Sequence, residues 1–241
     1  MSLFGWCLLL LAIPCSSVSA TEGPLYRAAV SQLASRGNFS ASVQENLKEF
    51  SATIRNSAAE AAAAGAQILV LPESVFWGRV VDWSKNNDED CLEARAAALP
   101  YASGEELVVG AVLCDDDSDK NENKKNGSES VARAASCAAR ESNIVLSVNT
   151  LHAVPCASSS DGGGASEFEF KFAGDDDVFR CRDERLFLYN TEVAFSEDGA
   201  VLAVYHKSHI WGTSPILDQP VVAEPVAFDT SFGVTFGVLV C

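Results

Sequence analysis

Three residues of different chemistry each stand directly after a short apolar run: Glu73 after ILVLP, Lys207 after VLAVYH and Cys241 after VTFGVLV. A thiol attacks a carbonyl carbon only as its thiolate, and a neighbouring ammonium favours that ion. The same ammonium can hold the oxyanion of a tetrahedral intermediate, while a carboxylate moves the proton between nucleophile, leaving group and water. Brought together, Glu73, Lys207 and Cys241 form a sufficient set for hydrolysing an amide through a thioester. Taken singly, each also has a plain structural role: Glu73 as a cap, Lys207 as a surface charge, Cys241 as a buried or bridged strand cysteine.

Other chemistry is less well supported. His206 and His209 flank Lys207, but no third ligand is near in sequence, so they are read as cleft or surface residues and not as metal ligands. Asp175, Asp176 and Asp177 lack the spaced ligands of a calcium loop and read as a solvated turn. No Cys-x-x-Cys pair occurs. No metal or cofactor is expected.

The elements that must position the three residues follow from periodicity. YRAAVSQL (Tyr26 to Leu33) alternates as a first strand. Ser42 with Glu45 forms a capping box opening a helix whose Leu47, Phe50, Ile54 and Ala58 recur at three and four, and Gly65 is its natural stop. QILVLPE then reads as a buried strand. Strand, helix and strand with short joints make a βαβ unit, so the fold class is α/β. Residues 77–100 mix loop and helix. ELVVGAVLC (Glu106 to Cys114) reads as a further strand, SVARAASCAARES as a helix and NIVLSVNT as another strand. LFLYNTEVAFS and VLAVYHK, joined by EDGA, form a hairpin, and VTFGVLV is the last strand. Strand ends are where open α/β sheets place ligands, which is where all three residues lie.

Two stretches interrupt this pattern as loop insertions, at about 115–130 and 157–167; the first, DDDSDKNENKKNGSES, holds no apolar residue. Neither is a domain linker, so residues 21–241 form one domain. Residues 1–20 read as a signal peptide, with an apolar centre too short for a membrane span and small residues before Thr21. No later stretch is apolar for long enough to cross a bilayer. Sequons at Asn38 and Asn126 agree with a secreted or lumenal glycoprotein. Of 8 cysteines, Cys7 and Cys15 fall in the leader, leaving Cys91, Cys114, Cys137, Cys156, Cys181 and Cys241 for bridges or a reactive thiol. A formal charge of -16 repels phosphate backbones and argues against a nucleic-acid partner.

LVLPE with an aromatic-glycine turn, then YHKSHIW, then FDTSFGVTFGVLVC resembles the carbon-nitrogen hydrolase (nitrilase) superfamily in its order of Glu, Lys and Cys. DCLEA, VPC and YNTEVAFSEDGAVLAVYHKSHI are similar to its secreted biotinidase and vanin (pantetheinase) branch. The resemblance implies a four-layer αββα sandwich, no metal, and a small-molecule amide substrate such as a vitamin conjugate. It makes Glu73 the general acid and base, Lys207 the oxyanion cation and Cys241 the nucleophile. It also implies bridges between Cys156 and Cys181 and between Cys91 and Cys137, and allows a homo-oligomer. Two departures bear on activity. No second glutamate follows the lysine block until Glu224, so another group fills that role or the activity is weaker. In the family the nucleophile sits at a strand-to-helix turn followed by much of the sandwich, so the sequence ending at Cys241 reads as a C-terminally incomplete sandwich, inactive by itself. The rival reading is a non-catalytic secreted binding protein of the same fold. A third is a structural domain with all six cysteines paired.

Overall fold

A computed structural model describes residues 25–38, 40–80, 88–114, 130–155, 186–210, 216–220 and 225–240, with side chains undescribed at 88–92. The leader, the insertions, Asn126, Cys156, Cys181, Glu224 and Cys241 lie outside these residues, as does the side chain of Cys91.

Five strands form one sheet in the order β1 (Ala28–Val30), β2 (Ile68–Val70), β3 (Val145–Pro155), β4 (Leu186–Phe195) and β5 (Val201–His206). β1, β2 and β3 run parallel, and β3, β4 and β5 antiparallel. Helix α1 (Val43–Ala63) crosses between β1 and β2. It opens with the expected capping box: the Glu45 N–H donates to Ser42 Oγ while Glu45 Oε2 accepts from the Ser42 N–H. The chain leaves α1 through Gly65, at φ 75°, a conformation that costs glycine little. Helix α2 (Asp88–Ala98) precedes the sheet's centre, and α3 (Val131–Ser142) crosses into β3. Asn143, in the left-handed region at φ 50°, ends α3.

The sheet is covered on both faces. Against one, α1 supplies Leu47, Phe50, Ile54 and Ala58 and α3 a stripe of alanines, packed on Leu69, Leu146, Val148 and Phe195. Against the other lies a two-stranded sheet, β6 (Val226–Asp229) with β7 (Thr235–Val238). Its Phe228, Phe236 and Val238 meet Ile68, Val70, Val145, Ala203 and Tyr205. The class is therefore α/β as expected, and the described residues give helix, sheet and sheet layers in that order.

Three sequence expectations need correction. ELVVGAVLC is not a strand: it touches the sheet by one bridge, Val112 to Ala200, and turns at Gly110, whose φ is 89°. Val108 and Val109 are 49% and 66% exposed, so apolar character alone did not bring them into a ladder. Second, β3 runs through Pro155, past the expected NIVLSVNT, and β6 went unread. Third, Cys137 is bridged to Cys114 and not to Cys91. Ser136 on α3 accepts from the Leu113 and Cys114 N–H groups at 3.2 and 3.1 Å, which docks the end of the irregular segment beside Cys137.

A buried ion pair ties α2 to the far end of the sheet. The Arg95 guanidinium donates to Asp218 Oδ2 at 2.7 Å, to the Ile216 carbonyl at 2.9 Å and to the Leu186 carbonyl at 2.8 Å. The Leu188 N–H donates to the same Asp218 oxygen at 2.6 Å.

Candidate active site

The chain leaves β2 through Leu71 and Pro72 and turns at once, which sets Glu73 at the end of a central strand. Ser74 sits at φ 54°, an uncommon conformation for a residue with a Cβ, and is held there from two sides. Its N–H donates to Asn149 Oδ1 at 2.9 Å, and its carbonyl accepts from the Gly78 N–H at 2.7 Å. A Cβ on Gly78 would lie 2.6 Å from that carbonyl, so glycine is required for the approach. Buried Val75, Phe76 and Trp77 drive the turn into the core.

Lys207 directly follows β5, and its N–H donates to the Asn190 carbonyl at 2.8 Å, extending the β4–β5 ladder by one residue. Its ammonium donates to Glu73 Oε1 at 2.6 Å, across 134 residues of chain. Asn190, on β4, donates its side-chain N–H to the same oxygen at 2.8 Å. The Lys207 and Glu73 side chains are 4% and 12% exposed. Among the described residues no donor reaches Glu73 Oε2.

Asn149, on β3, organises the back of the pair. Its Oδ1 takes both the Ser74 N–H and the Trp77 indole N–H, the latter at 2.9 Å. Its Nδ2 donates to Asn190 Oδ1 at 2.7 Å and to the Thr191 carbonyl at 3.2 Å. The amide of Asn190 is thereby fixed with its donor toward Glu73.

The sequence reading missed Glu192. It stands on β4 opposite Asn149 on one side and Tyr205 on the other, and is 2% exposed. Ser147 Oγ donates to its Oε1 at 2.6 Å, while Oε2 is buried without a partner. Burial, with the negative charge of Glu73 added, pushes its carboxyl up to about 8 against the opposing pull of the Ser147 hydroxyl and the nearby Asn149 amide. The available signal was the lone charge in LFLYNTEVAF, a strand otherwise without one.

The two histidines around Lys207 part company. His206 Nε2 lies 3.1 Å from His152 Nδ1, their rings stack at 5.4 Å, and the Tyr189 ring lies 4.3 Å from His206. Burial and the neighbouring His152 push His206 down to about 4, and burial also lowers His152. His209 is exposed and meets Ser208 Oγ at 3.0 Å.

The structure thus brings together Glu73 and Lys207; the third expected group, Cys241, follows buried Val240 but lies outside the described residues. Asn38 is exposed, and its side chain accepts from the Ser40 N–H at 2.9 Å.

A profile of the carbon-nitrogen hydrolases matches residues 27–241. Mouse (Mus musculus) pantetheinase is 29% identical over 181 residues, which are 75% of this chain and 28% of that protein. Biotinidase of Takifugu rubripes is 28% identical over 199 residues, 83% of this chain and 32% of that protein. The chain therefore spans about a third or less of the length of these curated relatives. Among solved structures, an amidase from Nesterenkonia sp. superposes with a TM-score of 0.43 at 19% identity, over 91% of this chain and 57% of its own.

Proposed function

The chain belongs to the carbon-nitrogen hydrolase family, and on that premise we propose that it hydrolyses a small, linear, non-peptide amide through a Cys241 thioester. The observation that carries this reading is the 2.6 Å contact of Lys207 Nζ with Glu73 Oε1 in a nearly water-free setting. A carboxylate beside an ammonium, one oxygen engaged and one not, is placed to exchange a proton with a third group.

In the proposed cycle Glu73 takes the Cys241 thiol proton and the thiolate attacks the amide carbon. Lys207 supports the oxyanion. The carbon–nitrogen bond breaks as Glu73 returns the proton to the departing amine. Glu73 then deprotonates a water that attacks the thioester, and the carboxylic acid leaves as the thiol regains its proton. The roles of Asn190 and Asn149 are to hold Glu73 in register, the first directly and the second through the first.

Pantetheinase and biotinidase relatives support a vitamin-like amide as the substrate class. Secretion is part of the same reading: the Cys114–Cys137 bridge suits an oxidising compartment, and exposed Asn38 suits glycosylation. Among the described residues no helix is long and apolar enough to cross a membrane.

The test is a panel of pantetheine and biotinyl amides offered to the full-length protein, with the acyl-enzyme trapped and mapped by mass spectrometry. Amine release with acyl mass on the Cys241 peptide is the expected outcome. Turnover that persists in Cys241→Ala, or acylation elsewhere, would overturn the assignment.

A further inference from the structure

Two acidic side chains among the described residues are buried to nine-tenths, and they are treated in opposite ways. Asp218 receives a guanidinium and a backbone N–H. Glu192 receives one hydroxyl, from Ser147, and no cation lies within salt-bridge distance of it among the described residues. Its second oxygen is sealed from water with nothing to accept from among the described residues. An ionised carboxylate in that position would lose most of its hydration without replacement. A protonated one needs far less.

The surroundings explain why a proton here matters. Glu192 shares the inter-sheet face with Asn149 and Asn190, which hold Glu73. The titratable groups that face it are Glu73 from the turn after β2, Lys207 from the end of β5 and Tyr205 as its β5 register partner. β3 presents uncharged Ser147 and Asn149, and the second sheet presents Phe228, Phe236, Val238 and Val240. A charge on Glu192 would therefore set a second anion close to Glu73, sharing the one ammonium that the described residues place there.

Resting on the hydrolase reading above, we propose that Glu192 is a positioning residue held as a neutral acid, whose ionisation disables the Glu73–Lys207 pair. With Glu192 uncharged, the field of Lys207 acts on one carboxylate. With Glu192 ionised, two carboxylates compete for the Lys207 ammonium, which loosens its contact with Glu73 Oε1 and weakens its support of the oxyanion. The carboxyl group's own position near 8 places that change just above neutral pH.

Two readouts on the full-length protein test this. The first is infrared difference spectroscopy of wild type against Glu192→Gln, which follows the carbonyl stretch of a protonated carboxyl group. A band present at neutral pH, lost at alkaline pH and missing from the variant is expected. Its absence from wild type at neutral pH would overturn the proposal without any recourse to activity. The second is the pH profile of kcat/KM on the amide substrate. Glu192→Gln removes the ionisation, and Ser147→Ala removes a hydrogen bond that favours the charged form, so both should move the alkaline limb upward by about one pH unit or more. A limb that stays in place in both variants would equally sink the idea, since a merely structural Glu192 would not set it. A protein that shows the band yet hydrolyses no amide would defeat the hydrolase reading and leave the protonation state upheld.

Discussion

The described residues hold two buried carboxylate–cation contacts of nearly the same length, 2.6 Å for Lys207 with Glu73 and 2.7 Å for Arg95 with Asp218. Their surroundings differ in one respect. Around Arg95 the partners among the described residues are structural: two carbonyls and a carboxylate that is itself pinned by the Leu188 N–H. Around Glu73 the donors crowd onto Oε1, and Oε2 receives none from the described residues. The first arrangement closes a set of valences and holds α2 to β4. The second keeps one oxygen in reserve. Ion-pair length therefore says little about role; the saturation of the remaining lone pairs and protons says more.

The largest expected effect is on chemistry. Glu73→Gln keeps the shape and removes the proposed base, and should lower kcat/KM by about 10³-fold or more, with Lys207→Met close behind. If either variant keeps more than a tenth of wild-type turnover in steady-state assays, the two pairs are not different in kind.

Next comes stability. Arg95→Met leaves Asp218 buried without its cation and should cost about 3–5 kcal/mol in urea unfolding, with kcat of the folded fraction unaltered. Replacing both partners, Arg95→Met with Asp218→Leu, should recover most of that loss. The corresponding double change at Lys207 and Glu73 should recover stability and no activity, which is the sharpest form of the contrast.

The pH dependence of stability is smaller and runs in two directions. His206 is depressed to about 4, so relative to His206→Phe its contribution is present above about 6.5 and drains away as pH falls toward 4. Partial exposure limits the loss to roughly 2 kcal/mol. Glu192 is raised to about 8, so its contribution is full below about 4.5 and is lost as pH rises to 8. Chemical denaturation across that range should show wild type losing ground to Glu192→Gln by on the order of 1 kcal/mol per pH unit. A flat difference between the two proteins would mean the carboxyl is already ionised.

The smallest effect is expected at Asn190→Ala. It removes one neutral donor from Glu73 Oε1 while Lys207 remains, and should cost about 1.5 kcal/mol, or tenfold in kcat/KM. A loss as large as that of Glu73→Gln would make Asn190 more than a positioning group.

What the sequence revealed divides along the same line. Glu73 and Lys207 were legible because each ends an apolar run, and a strand's end is a place that local pattern can mark. Capping of α1 by Ser42 and Glu45 was legible for the same reason, being a contact over three residues. Arg95 and Asp218 were not: they lie 123 residues apart, and nothing local in DCLEARAAA or PILDQP says that the two meet. Glu192 was hidden because alternation identifies the buried face without saying what its neighbours are. The partner of Cys137 was missed because Cys114 reaches it from an apolar run that reads as a strand and is instead a loop moored to α3. Sequence pattern speaks of faces and ends, while pairing across the sheet is decided by topology.

The bridge between Cys114 and Cys137 encloses the whole hydrophilic stretch from Asp115 to Ser130, with its lysines at 120, 124 and 125. A protease that cut the backbone anywhere inside that ring would not divide the molecule. Both fragments would stay joined through sulfur, with α3 and the first sheet strands still on one covalent body. Such a nicked form would run as a single species on a non-reducing gel and separate into two only after thiol treatment. A chain built this way can lose a peptide bond within that stretch and keep its two halves covalently joined.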